Sequence, residues 1–251
     1  MIKTPQQLAL MRESGRLLAQ VFSMLDGFVV AGRSTLELDS AVETFIRQKL
    51  QARPASLGQY DYPFSINTSI NEVVCHGMPS AKEILKDGDI INIDITLEKD
   101  GFIADSSKMY MIGNVTPKAR RLVEMTFEAM WAGIRQVKPG ARLGDIGHAI
   151  QYHAQANGYS VVREYCGHGI GRDMHEEPQI LHFGRPGTGL ELREGMVFTI
   201  EPMLNQGSAK VRSLKDGWTV VTRDNSLSAQ WEHTVAVTAD GFEVLTLQPT
   251  A

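Results

Sequence analysis

Asp94 stands inside the run Ile90-Ile91-Asn92-Ile93-Asp94-Ile95-Thr96, where an ionised carboxylate is costly unless it is paired, hydrogen-bonded or bound to a metal. Downstream, Asp100-Gly101 is a strong two-residue hairpin signal. If those two residues make the turn, opposed residues sum to 201, so Thr96 faces Asp105 and Asp94 lies diagonally beside it. Both carboxylates then emerge on one face, about 5–8 Å apart. Two anions that close repel in a half-buried site, and a divalent cation between them resolves the conflict. For one Asp alone, a turn cap or an ion pair on an exposed face is the commoner role.

A glycine-rich turn, Cys166-Gly167-His168-Gly169-Ile170-Gly171, runs on to Met174-His175-Glu176-Glu177-Pro178, and its glycines let backbone and histidine approach a ligand closely. A single histidine is more often hydrogen-bonded than metal-bound, and a spacing of seven is not diagnostic. Glu201, after Val197-Phe198-Thr199-Ile200, and Glu232, before His233-Thr234-Val235, read as glutamates in apolar strands, where glutamate is a poor strand former. Asp94, Asp105, Glu201 and Glu232 together bring −4, which two divalent ions balance. Oxygen donors with one imidazole make a fairly hard, carboxylate-bridged dinuclear site suited to Mn, Fe or Co and able to take Zn. Cys75 and Cys166, beside His76 and His168, read as buried free thiols rather than ligands.

The elements that must position these groups are legible at their starts. Thr4-Pro5 with Gln7, and Ser34 with Glu37, are capping boxes heading two helices, the second running to about Leu50. Residues 89–112 alternate as a β-hairpin. Thr116-Pro117 starts a third helix, which ends at Pro139-Gly140, and a fourth runs from near Asp145 to Asn157-Gly158. Thr4-Pro5 and Thr116-Pro117 are offset by 112 residues, and Gly32 and Gly140 by 108, which reads as an internal duplication. The remainder is strands separated by Asp216-Gly217, Asp224-Asn225 and Asp240-Gly241, so the class is α+β with two similar halves sharing one core.

Composition supports an ordinary globular chain. Of 251 residues, 43% are hydrophobic and 22% charged, which excludes disordered and fibrous classes. Twenty-five Lys and Arg against 29 Asp and Glu leave a net charge of −4, without the basic cluster of a DNA or RNA binder. Two cysteines are too few for a secreted disulfide scaffold, and neither a signal core nor an apolar membrane span is evident. The expectation is a cytoplasmic protein.

Seven segments, in order, resemble the type I methionine aminopeptidase family: Asn71-Glu72-Val73-Val74-Cys75-His76-Gly77, Ile93-Asp94-Ile95-Thr96, Asp105-Ser106-Ser107-Lys108-Met109, Gly167-His168-Gly169-Ile170-Gly171, Met174-His175-Glu176-Glu177-Pro178, Thr199-Ile200-Glu201-Pro202 and Ser228-Ala229-Gln230-Trp231-Glu232-His233-Thr234. The resemblance implies the pita-bread fold, two pseudo-symmetric αβ halves around a central antiparallel sheet, as one metallo-aminopeptidase domain over 1–251. The 31-residue interval from Glu201 to Glu232 leaves no room for the insertion of type II enzymes, and the start lacks the zinc-finger extension of eukaryotic type I members. A short bacterial-style form is the expectation.

By that resemblance, Asp94 chelates one divalent ion (Co, Mn, Fe or Zn), Asp105 and Glu232 bridge two, and His168 with Glu201 complete the other. Two such ions would activate water for attack on a peptide carbonyl. Glu201 would act as general base, His175 would donate to the developing oxyanion, and His76 would contact the departing nitrogen. The free α-amine would meet the ion held by Asp94, so one residue at a time leaves an N-terminus. Tyr62, Met174, Trp218 and His76 would line the methionine slot. The sequence departs there from familiar bacterial members at Gln59, Asn67 and Met174, which puts slot shape and selectivity at issue. Asn71, Val73 and Ser228 would offer carbonyls to a monovalent cation, Na or K. The implied activity is removal of initiator methionine from nascent chains at the ribosome, by a monomer, with preference for a small second residue. An X-Pro peptidase of the same fold and a non-catalytic pita-bread binding protein are the competing readings; the first usually carries a further N-terminal domain, the second typically loses its metal ligands.

Overall fold

The Thr4 side chain accepts a hydrogen bond from the Gln7 amide, and Gln7 Oε1 accepts one from the Thr4 amide. The first helix, Pro5–Leu25 (α1), therefore starts where its capping box places it. Ser34 and Glu37 repeat the device for Thr35–Thr44 (α2), and Thr116 caps Pro117–Ile134 (α3), which Leu143–Ala156 (α4) follows. The computed structural model describes residues 2–248. The expected continuation of α2 to Leu50 is corrected: Phe45–Lys49 forms a π-helical turn, closed by the Leu50 amide donating to the Phe45 carbonyl. The chain must then reverse through Gln51, at φ 51°, into the short strand Arg53–Pro54, and the α-helical ladder ends ahead of that reversal.

Asp100 and Gly101 both adopt positive φ, 52° and 77°, as a two-residue turn compatible with strand twist requires. The hairpin Ile90–Lys99 and Phe102–Met111 consequently holds the expected register, with Thr96 opposite Asp105 and Asp94 opposite Ser107. On its other edge Ile90–Lys99 pairs with Ile66–Ile70 and Arg53–Pro54, all antiparallel. Ile91, Ile93, Ile95 and Leu97 join Leu18, Phe22, Leu38 and Ile46 of the first two helices and their π turn in one core. Burial of each such side chain contributes about 1.5–3 kcal/mol. Because strand side chains alternate, Asn92, Asp94 and Thr96 must face the opposite way.

The second half repeats the scheme. A five-stranded sheet runs in the order Phe242–Val244, His233–Val237, Val197–Ile200, Gly167–Gly169, Glu176–Ile180. Met130 and Ile134 of α3 and Ile146 and Ile150 of α4 pack in a core with Phe198, Ile200 and Val235. Polar hydrogen bonds join the halves: Asn92 Nδ2 donates to the Gln230 carbonyl at 2.8 Å, Ser106 Oγ to the Glu232 carbonyl at 2.6 Å, and Thr234 Oγ1 to the Asp105 carbonyl at 2.7 Å. Two helix pairs backing antiparallel strands, joined along Asp105 and Glu232, form the α+β arrangement expected of the pita-bread fold.

Candidate metal centre

The hairpin register and the seam between the halves bring the singled-out carboxylates into one cavity of about 560 Å³. Asp105 is 6% exposed, with its Oδ1 accepting from Thr96 Oγ1 at 3.0 Å, and Thr96 Oγ1 in turn accepts from Ser56 Oγ at 3.1 Å. Asp94 lies on the same face of the hairpin and lines the same cavity.

The two glutamates require a correction. Neither lies within a strand: Glu201 directly follows Val197–Ile200, and Glu232 falls between Ser228–Gln230 and His233–Val237. His233 pairs with Ile200, so the next rung would set Glu232 opposite Glu201, and the ladder stops there. The break releases both side chains from the pleat. The Glu201 amide instead donates to Nε2 of the fully buried His182 at 3.2 Å, and the Glu232 amide to the Ser107 carbonyl at 3.2 Å. Glu201 Oε1 accepts from Thr199 Oγ1 at 2.7 Å and Oε2 from Gln230 Nε2 at 3.3 Å.

His168 completes the set. Its Nδ1–H donates to the Gly169 carbonyl at 3.0 Å, leaving the Nε2 lone pair facing Glu201 Oε1 at 3.5 Å and Asp105 Oδ2 at 3.8 Å. Burial lowers the imidazole to about 4, so the ring is neutral, the state a metal ligand needs. Gly169 has to be glycine, because a Cβ there would strike the backbone of Glu177.

Electrostatics and geometry both fit divalent cations. Burial, more than any other cause, raises Asp94, Asp105, Glu201 and Glu232, Asp105 to about 7 and Glu201 to about 8, with mutual repulsion adding to it for Asp94, Glu201 and Glu232. Positive charge among them would reverse that pressure. One donor atom each from Asp105, His168 and Glu232 lies within 4.8 Å of the others, close enough for small side-chain shifts to bring all three onto a shared ion.

The predicted substrate-binding residues also border this cavity, whereas Asn71, Val73 and Ser228 lie outside its lining. His76, at φ 56°, meets Tyr165 edge to face at 5.5 Å. His175 meets His168 edge to face at 4.4 Å. Both histidines are lowered by burial, His76 additionally by His175. Tyr62 is buried, donates to the Ile66 carbonyl at 3.0 Å, and meets Trp218 at 4.9 Å; Met174, Gln59 and Asn67 line the same space. Asn71 and Ser228 adjoin, the Ser228 amide donating to the Asn71 carbonyl at 2.9 Å, while Val73 lies in the neighbouring strand Val73–Cys75. Cys75 is buried and Cys166 half-buried; both thiols are free and raised by burial.

Sequence reasoning missed Tyr60, Thr199, Gln230 and His182. Tyr60, 67% exposed at φ 50°, stacks on His175 at 5.9 Å with its hydroxyl 3.4 Å from Nδ1. Thr199 was findable, since two residues before Glu201 on a strand is the same face. His182 and Gln230 arrive through tertiary contacts that leave no local signal.

The profile of metallopeptidase family M24 matches residues 9–239. The chain belongs to metallopeptidase family M24. Within M24 it is 53% identical over 247 residues to the methionine aminopeptidase of Escherichia coli (strain K12), covering 98% of this chain and 94% of that protein. The crystal structure of the methionine aminopeptidase from Rickettsia prowazekii superposes with a TM-score of 0.96 at 51% identity, covering 98% of this chain and 99% of that one. The prolidase from Pyrococcus horikoshii OT3 shares the fold at a TM-score of 0.77 and 20% identity, with 99% of this chain and 64% of that chain covered.

Proposed function

We propose that this chain is a methionine aminopeptidase that removes the initiator methionine from peptides and nascent proteins and prefers a small second residue. The observation that carries the reading is the gathering of Asp94, Asp105, His168, Glu201 and Glu232 with His76 and His175 around one cavity, in a chain 53% identical to a methionine aminopeptidase over nearly its whole length.

Two divalent ions (Co, Mn, Fe or Zn) held by Asp94, Asp105, His168, Glu201 and Glu232 would supply a lowered water pKa and stabilise negative charge at a peptide carbonyl. Glu201 accepts the water's proton, its carboxylate aimed by Thr199 and Gln230. His175 donates to the carbonyl oxygen as negative charge develops there, and His76 contacts the departing amide nitrogen. Asp94 would help hold the ion that the substrate's free α-amine meets, which limits cleavage to one residue at a time. Tyr62, Trp218, Met174 and His76 receive the methionine side chain.

A monovalent cation, Na or K, at the carbonyls of Asn71, Val73 and Ser228 would tie the strand Val73–Cys75 to Ser228–Gln230. The enzyme works as a monomer and a single domain, in the cytoplasm, on chains emerging from the ribosome. Among the described residues, no helix is long and apolar enough to cross a membrane. The likeness to prolidase rests on 20% identity and supports the fold alone. Hydrolysis of Met-Ala-Ser against an Ala-Pro peptide tests the assignment: cleavage of the first is expected, whereas cleavage of the second alone would install the X-Pro reading, and cleavage of neither the binding-only one.

A further inference from the structure

The side-chain slot carries two amides that an apolar methionine does not use. Asn67 lies directly opposite Asp94 in the antiparallel register, so its side chain rises on the cavity face. Gln59 sits between Gly58 and Tyr60, both at positive φ, on the turn that borders Tyr62. Both line the cavity together with Tyr62, Trp218 and Met174. Among the described residues neither side-chain amide has a hydrogen-bond partner. The other hydroxyls of this wall are committed, Ser56 to Thr96 and Thr96 to Asp105. A thioether is a weak acceptor, so filling the slot with methionine strips water from two amides and returns little.

A side chain of the same unbranched length bearing a neutral oxygen on its δ atom would satisfy them. Methionine sulfoxide carries that oxygen on Sδ, and glutamine carries one on Cδ. Norleucine has the length without the oxygen. An acidic side chain would bring a carboxylate against the Asp94 carboxylate, which lies opposite Asn67. We propose that Asn67 and Gln59 make this slot accept δ-oxygenated side chains, N-terminal methionine sulfoxide foremost, so that oxidised and unoxidised N-termini are both processed. The proposal rests on the methionine aminopeptidase reading of the cavity.

The test compares kcat/KM for Met-Ala-Ser, both epimers of the methionine sulfoxide tripeptide, Gln-Ala-Ser and norleucine-Ala-Ser, in the divalent-loaded chain and in Asn67→Leu and Gln59→Leu. Each amide hydrogen bond is worth about a tenfold change. The better sulfoxide epimer is expected at more than one-tenth of the Met-Ala-Ser value, with the sulfoxide-to-methionine ratio falling about tenfold in each variant. A parent ratio below one-tenth, or a ratio unmoved by both substitutions, overturns the proposal. A parent that cleaves no methionine peptide overturns the underlying reading as well, which separates the two failures. Independently of how the variants fold, free methionine sulfoxide should inhibit the parent within tenfold of free methionine, and inhibition weaker than that counts against the amides.

Discussion

Replacing Glu201 by Gln keeps the side-chain volume and removes the anion that would serve both as proton acceptor and as metal donor. Gln230 Nε2 can donate but not accept, so the new amide must turn its oxygen toward Gln230 and its NH2 toward Thr199, whose hydroxyl can rotate to accept. Because burial first, and repulsion from Asp105 second, raise Glu201 to about 8, the metal-free chain at pH 7 already holds a largely protonated carboxyl there. Gln is nearly isosteric with that form, and stability without metal should change by under about 1 kcal/mol. With divalent ions loaded the effect is large. A lost general base costs about 10²–10⁴-fold, and one fewer negative donor pushes the loss to about 10³–10⁴-fold, or about 4–5.5 kcal/mol at 1.36 kcal/mol per tenfold. The assay is kcat on Met-Ala-Ser, with metal content measured on the same sample and a thermal melt in chelator. A kcat within tenfold of the parent at equal metal content refutes Glu201 as the base.

His76→Ala and His175→Ala should each lower kcat by about 10²-fold or more while retaining bound metal; stoichiometric metal loss in either would mean the donor set is misassigned. A tripeptide panel should show Met-Ala, Met-Gly and Met-Ser cleaved at least about 10²-fold better than Met-Leu or Met-Lys, since a displacement of about 1 Å at the carbonyl costs that much. Equal rates for Met-Ala and Met-Lys would refute the steric gate, and efficient cleavage of Lys-Ala the slot. In chelator, the folded state holds protons on Asp105 up to about 7 and on Glu201 up to about 8, against ordinary values of 3.8 and 4.5. That contribution is fully present below the ordinary values and is lost as pH rises through the folded ones. The neutral buried His168, His182 and His233 act in the opposite sense, but only below their ordinary 6.5. The clean window is pH 6.5 to 8, where the unfolding free energy of the metal-free chain should fall with a slope of up to about 1.4 kcal/mol per pH unit for each titrating carboxyl, and Tm with it; saturating divalent ion should remove the decline, and a flat metal-free profile would contradict the carboxylate cluster.

What could be read from the sequence was what local rules encode. Helix starts follow from caps within four residues, and the Asp94–Asp105 geometry follows from one turn dipeptide and a period of two. The placement of Glu201 and Glu232 off their strands was not readable, because the last rung before them, His233 with Ile200, pairs residues distant in sequence. The π turn after α2 escaped for a related reason: apolar periodicity at Phe45 and Ile46 serves a π turn as well as an α-helix. His182 carries no local mark at all, since its partner is the backbone of Glu201. Tyr60 reaches His175 through a left-handed turn that an exposed Gln-Tyr-Asp stretch does not announce.

In the proposed reading these five donors bind divalent ions and hydrolysis depends on them. Chelator-stripped protein titrated with Mn or Co, with bound metal per chain and Met-Ala-Ser hydrolysis followed in the same samples, tests it most directly. Turnover should be absent at the start, rise as metal binds, and saturate by two ions per chain. Full turnover in the stripped protein, or binding of fewer than one ion per chain at saturation, would contradict it.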